Sequence, residues 1–133
     1  MLQIKPGLLV FLGASLGTLA RALIDHLTAG TLGGISTATV IVNVVGAFLM
    51  GMLVTTWGMR RGLHPLWDRI KIFAGTGFLG AFTTYSAFAL AVAQNIDQPT
   101  AFIVAAGTIL AGVTGVWLGA VLAKKFAGEE SAK

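Results

Sequence analysis

Cysteine is absent from this 133-residue chain, which excludes disulfides, thiol nucleophiles and cysteine–zinc sites. Charge is also scarce. Only 11% of residues are Asp, Glu, Lys or Arg, against roughly 25% in soluble domains. The five carboxylates are Asp25, Asp68, Asp97, Glu129 and Glu130, all at the ends of apolar runs, in connections or in the tail. A proton-coupled transporter or a membrane hydrolase needs a mid-span carboxylate, or a nucleophile with its base. His26 and His64, the only two histidines, have no ligand spacing. Thr83, Thr84 and Ser86 have no histidine or lysine close in sequence. No catalytic residue is assigned, and enzyme chemistry is not expected.

What the chain has in quantity is apolar sequence: 56% hydrophobic residues and a mean hydropathy of +0.86. Four apolar segments approach the ~20 residues that cross a bilayer. They are placed near 8–27, 37–57, 70–93 and 101–123, with a polar tail at 124–133 that includes Glu129 to Lys133. The connections TAGTLGGIS, RRGLHPLWDR and QNIDQP are short, so one membrane domain is expected. Pro65 and Pro99 fall at or near helix starts, where a missing N–H costs least. The first apolar stretch is span-length and lacks a small-residue cleavage exit, so no cleavable leader is expected. The net charge of +4 and pI near 10.0 read as basic loops beside a membrane rather than as a nucleic-acid surface.

The cations are unevenly distributed. An even number of spans puts both termini and the middle connection on one side. That side holds Lys5, Arg60, Arg61, Arg69, Lys71, Lys124, Lys125 and Lys133, whereas the other has only Arg21, inside the first span. The bias places both termini in the cytoplasm of a multi-pass cell (inner) membrane protein.

Three stretches carry polar or small residues inside the spans. In GASLGTLAR, Gly13, Gly17 and Arg21 share one helix face. The glycines suit close helix packing. Arg21 either snorkels or pairs, with Asp25 one turn on as an available partner, or it serves an anion vestibule. In TATVIVNVVGAF, Thr39 and Asn43 lie one turn apart before Gly46. The Asn43 amide is either interhelical glue or a pair of N–H donors for a ligand. The third stretch, GTGFLGAFTTYSAF from Gly75 to Phe88, has glycine at 75, 77 and 80. Each costs about 1 kcal/mol against alanine in a helix, so the third span is expected to be broken there. Carbonyls freed at membrane depth suit a hard cation such as Na+. Tyr85 and Phe88 either pack or present electropositive ring edges to an anion.

These three stretches together resemble the Fluc (CrcB) family of fluoride channels, and the resemblance covers essentially the whole chain. It implies an all-α membrane fold of four transmembrane helices with a broken third helix. It also implies an antiparallel dimer, with two fluoride pores at the interface. A structural Na+ at the dimer centre is implied, held by backbone carbonyls that the family pattern G-x-x-T-T-F-S-x-F places on Gly80 and Thr83. The pore residues implied are Asn43, Thr39, Tyr85, Ser86 and Phe88, and Arg21 matches the first-helix arginine. The implied function is passive export of cytoplasmic fluoride through a fluoride-selective channel, which relieves its toxicity. A small dual-topology multidrug or guanidinium exporter is the alternative, but it needs a first-span glutamate that this chain lacks. A non-conducting membrane assembly subunit is a further alternative.

The chain departs from the family pattern at several positions. Tyr85 stands where phenylalanine is usual, Ala87 where threonine is common, and Ala91 where a glutamate often follows. In the fourth span Thr108 and Thr114 are present, but Gly112 and Val116 occupy positions where hydroxyls are expected. The one-sided charge also fits poorly with a homodimer inserted both ways. One half of an oppositely oriented paralogue pair is the expectation beside the family's homodimer.

Overall fold

The computed structural model describes residues 5–131. Helix α1 (Pro6–Leu27) starts on its proline, whose ring fixes φ for the first turn and whose absent N–H would have had no partner there. A hairpin follows, β1 (Thr31–Leu32) antiparallel to β2 (Ile35–Ser36), with Thr31 opposite Ser36 and Leu32 opposite Ile35. Its two-residue turn is Gly33–Gly34, both at positive φ (55° and 84°). That turn geometry is open to glycine and matches the twist of the flanking strands. Helix α2 (Thr37–Arg60) begins directly after it. The third segment comprises α3 (Leu66–Ile70), a π-helical stretch (Lys71–Leu79), α4 (Gly80–Phe82) and α5 (Ser86–Gln94), and α6 (Pro99–Ser131) closes the chain.

Four helical segments are long and apolar enough to cross a membrane: Pro6–Leu27, Thr37–Arg60, Leu66–Gln94 and Pro99–Gly128. Each contains its expected span and extends beyond it. The hairpin stands where a plain connection was expected. Helix α6 runs past Ala123 through Lys124 and Lys125 to Ser131, so most of the expected tail is helical. Ala132 and Lys133 lie outside the described residues.

Close backbone contacts built on glycine hold the helices in two pairs. Helix α1 lies against the π-helical stretch. A Cβ on Gly13 would collide with the Phe73 carbonyl, and one on Gly17 with the Phe78 carbonyl. From the other side, a Cβ on Gly77 would sit 2.8 Å from the Val10 carbonyl. Helix α2 lies against α6 in the same manner: Gly51 faces the Val116 carbonyl and Gly119 the Phe48 carbonyl, with no room for a methyl group. Lipid tails are as apolar as leucine, so in a bilayer such packing, rather than hydrophobic burial, drives helix association. The two pairs meet at a small core of Val42, Leu79 and Phe82, with Ala20, Ile24, Leu49, Met50, Leu53 and Phe78 around it. Phe78 and Phe82 stack with centroids 5.7 Å apart. The outward faces of α1 and α6 are bare leucine, isoleucine and aromatic side chains, among them Leu19, Ile103 and Trp117.

The glycines of the Gly75–Phe88 run therefore do other work than expected. The chain stays helical through Gly75 and Gly77, in π form, and both are buried. The small size of Gly77 brings two backbones together, and Gly75 makes room for the Leu53 side chain of α2. Regular helix lapses only later, at Thr83, whose backbone is extended (φ −78°, ψ 160°), and it resumes at Ser86.

Candidate functional site

The segment Thr83–Tyr85 is held open by side chains rather than by glycine. In a continuous α-helix the Thr84 N–H would bond to the Gly80 carbonyl. Here it donates instead to Asn43 Oδ1 at 2.8 Å. Asn43 Nδ2 in turn donates to the Thr84 carbonyl at 2.9 Å. One amide on α2 thus satisfies both polar groups of a single residue on the neighbouring segment, as a strand partner would. Next in the chain, the Ala87 N–H turns to Thr84 Oγ1 at 3.2 Å instead of the Thr83 carbonyl. That contact caps the start of α5. Thr83 stays tied to the preceding turn, its N–H and hydroxyl both donating to the Leu79 carbonyl (3.1 and 3.0 Å). Its methyl group packs on Gly46, where a Cβ would collide with it.

Two grooves flank this segment. One, about 320 Å³, is lined by Asn43, Thr83, Tyr85 and Phe88 together with Thr108, Ile109 and Gly112 of α6. The other, about 260 Å³, is lined by Thr18, Arg21 and Asp25 of α1 with Thr39 and Val42 of α2 and with Ala87. Thr84 lines both grooves. Thr39 and Asn43, expected to face one way, lie in different grooves on either side of Thr84.

The other residues singled out by sequence are arranged around this centre. Arg21 lines the second groove with Asp25, but among the described residues neither is ion-paired. A local pair is therefore not what holds the guanidinium in its span. Thr39 is buried, at 9% exposure. Tyr85 is 82% exposed and stands at the rim of the first groove. Ser86 is exposed, its Oγ 3.4 Å from Thr84 Oγ1. Phe88 is half-buried and Gly80 exposed. Thr108 is buried, with its hydroxyl donating to the Val104 carbonyl at 2.7 Å. Gly112 lines the groove wall and supplies no hydroxyl there. Among the described residues no three of His, Cys, Asp and Glu gather into a metal site. Thr84 is the central residue that sequence reasoning misses. Its signal is the Thr83–Thr84 pair itself, because adjacent hydroxyl residues offer the local bonds that compete with helix.

Two comparisons place this architecture among known proteins. Residues 8–120 match the model of the family described as CrcB-like protein, Camphor Resistance (CrcB). The chain is 43% identical over 124 residues to a fluoride-specific ion channel FluC 2 of Leifsonia xyli, covering 86% of this chain and 83% of that protein. It is 34% identical over 127 residues to a fluoride-specific ion channel FluC of Gloeobacter violaceus, covering 92% and 98%. A fluoride-specific ion channel FluC 1 of Yersinia pseudotuberculosis is 34% identical over 126 residues, covering 92% and 96%. The family match runs from the first apolar helical segment into the fourth and spans Thr83–Tyr85: this chain belongs to the CrcB family.

Proposed function

We propose that this chain is a subunit of a fluoride-selective channel that lets cytoplasmic fluoride leave the cell passively. Fluoride enters as the weak acid HF and dissociates at neutral pH, so a pore without ATP or ion coupling drains the trapped anion. The observation that carries this reading is the Asn43–Thr84 pairing beside a groove lined by Phe88 in a chain of this family. An Asn amide has two N–H groups; one is engaged by the Thr84 carbonyl, leaving the second as a donor in the groove. Around it stand the ring of Phe88 and the hydroxyls of Thr83 and Thr108. Ring edges and this N–H replace part of a fluoride hydration shell, while the Thr83 and Thr108 hydroxyl protons stay with the Leu79 and Val104 carbonyls. On the other flank Arg21 and Thr39 form the approach.

The finer reading is a third helix broken for function, in an antiparallel dimer. Two observations support carbonyl coordination of Na+ by Gly80 and Thr83. The N–H that a helix would give Gly80 goes to Asn43, and the one it would give Thr83 goes to Thr84 Oγ1. Both oxygens are thereby released for a hard cation, which would supply a fixed positive charge at the subunit junction. Two carbonyls leave a Na+ under-coordinated, so the remaining oxygens come from a second subunit. The exposed Tyr85, Ser86 and Ala87 suit a surface covered by that subunit. The eight-to-one distribution of cations favours a fixed orientation with cytoplasmic termini, and hence a paralogue inserted the other way.

Fluoride-electrode efflux from liposomes tests the function. The chain, alone or with its paralogue, releases fluoride but not chloride, and Asn43→Ala and Phe88→Ala abolish release. No efflux in either setting would sink the channel reading. Reporter fusions at the C-terminus test orientation, and equal signals on both sides would exclude a fixed one.

A further inference from the structure

The connection between α2 and α3 carries a charged cluster that the pore reading leaves unused. Trp57, near the end of α2, has the Lys71 ammonium 3.8 Å from its ring centroid and the Arg61 guanidinium at 5.8 Å. Its indole N–H donates to Asp68 Oδ1 at 2.8 Å. Asp68, the only carboxylate of the connection, is thus engaged by an indole rather than by a cation. Among the described residues, Arg61, Arg69 and Lys71 form no ion pair. Stacking on an aromatic face holds a cation in place without neutralising it. The result is two cations fixed about one ring and a third, Arg69, exposed on α3. Beside them Leu63 and Leu66 are 74% and 52% exposed, at the level where two membrane segments end.

Exposed leucines next to unneutralised cations, at the end of membrane spans, match one surface chemistry above others. A soluble polyanion would find the charge but leave the leucines in water. An anionic phospholipid satisfies both, with its phosphate between the cations and its upper acyl carbons against the leucines. We propose that Arg61, Arg69 and Lys71, organised by Trp57, form a binding site for the headgroup phosphate of an anionic phospholipid. The Trp57–Lys71 stack distinguishes this site from a diffuse surface potential. It fixes one cation at the membrane interface, where a free lysine would sample many rotamers and lose that freedom on binding. The proposal rests on the membrane reading of the four segments and is independent of which ion the protein conducts.

Native mass spectrometry of the full chain, released from vesicles of phosphatidylcholine or of phosphatidylcholine with phosphatidylglycerol, reads the site directly. The expected result is retention of phosphatidylglycerol over phosphatidylcholine by the native protein. Arg61→Gln with Lys71→Gln weakens retention roughly 30-fold, taking about 1 kcal/mol per interfacial cation at about 1.4 kcal/mol per tenfold. Lys124→Gln with Lys125→Gln removes the same charge outside the cluster and leaves retention unchanged. Trp57→Leu, which keeps every charge, reduces retention several-fold by releasing Lys71. Equal losses in the two double variants would overturn the site in favour of general surface charge. Unchanged retention in Trp57→Leu would overturn the role of the stack, and displacement of the lipid by inorganic phosphate would show a free-ion site instead.

Discussion

Replacing Asn43 by alanine tests the local design most directly. The substitution removes two hydrogen bonds, at 2.8 and 2.9 Å, that link α2 to a residue 41 positions away. An intramolecular hydrogen bond contributes about 1 kcal/mol net in water, and side-chain bonds between membrane helices average nearer 0.6 kcal/mol. The two bonds alone are therefore worth about 1–2 kcal/mol. Leaving the half-buried Thr84 N–H and carbonyl without partners adds a desolvation cost of about 1–3 kcal/mol. Local rearrangement recovers part of that, because Thr84 N–H can turn back to the Gly80 carbonyl and extend the helix. A net loss of about 2–3 kcal/mol is expected from chemical unfolding in detergent followed by circular dichroism. Hydrogen exchange at the Thr84 amide reports the same event locally. Asn43→Asp separates the two bonds: its carboxylate still accepts from Thr84 N–H but repels the Thr84 carbonyl. The expected order of stability is Asn, then Asp, then Ala. A loss below about 0.5 kcal/mol in Asn43→Ala, with unchanged exchange at Thr84, would refute the claim that this amide holds the segment open.

Gly17→Ala drives a methyl group into the Phe78 carbonyl and is expected to cost about 1–3 kcal/mol by overpacking. Gly107→Ala has nothing within 4 Å of its new Cβ and should be neutral or stabilising by up to about 1 kcal/mol; the same unfolding assay compares them. Thr84→Val keeps the backbone bonds to Asn43 but loses the hydroxyl that caps α5, so it should cost about 1 kcal/mol, with Thr84→Ser restoring most of it. Asn95→Ala removes the amide bonded to the Ala91 carbonyl at 2.8 Å and the Gly34 carbonyl at 3.4 Å. Faster amide exchange confined to Gly33–Ser36 and the α5–α6 connection is expected, and unchanged exchange there would contradict the clasp.

The overall plan is legible in the sequence because a bilayer imposes it. Segments near 20 residues with almost no charge have few alternatives to crossing helices, and the four observed segments contain the four expected ones. The hairpin at Thr31–Ser36 escapes sequence reasoning because its strands are two residues each, too short for an alternating pattern to show. Intrinsic propensity makes helix breakers of the glycines in Gly75–Gly80. Packing against α1 overrides that preference: with Gly13, Gly17 and Gly77 aligned, the close approach of two backbones outweighs the propensity cost. By sequence Asn43 is either glue or donor. Its two bonds to Thr84 tie α2 to the third segment, and the remaining N–H is the donor that the proposed pore uses.

Sequence alone determined the membrane class, the four spans, the one-sided charge and the family, because each is written in composition, length or local order. It also supplied Asn43, Thr83, Phe88 and Arg21 as residues to watch. Only tertiary structure decided where the third segment departs from regular helix, and by what means. The departure depends on an amide 41 residues away intercepting a helical N–H, and no local propensity encodes that contact. Tertiary structure likewise put Thr39 and Asn43 in separate grooves with Thr84 between them. Side-chain direction along α2 gave them one face, but the neighbour packed against that face divides it.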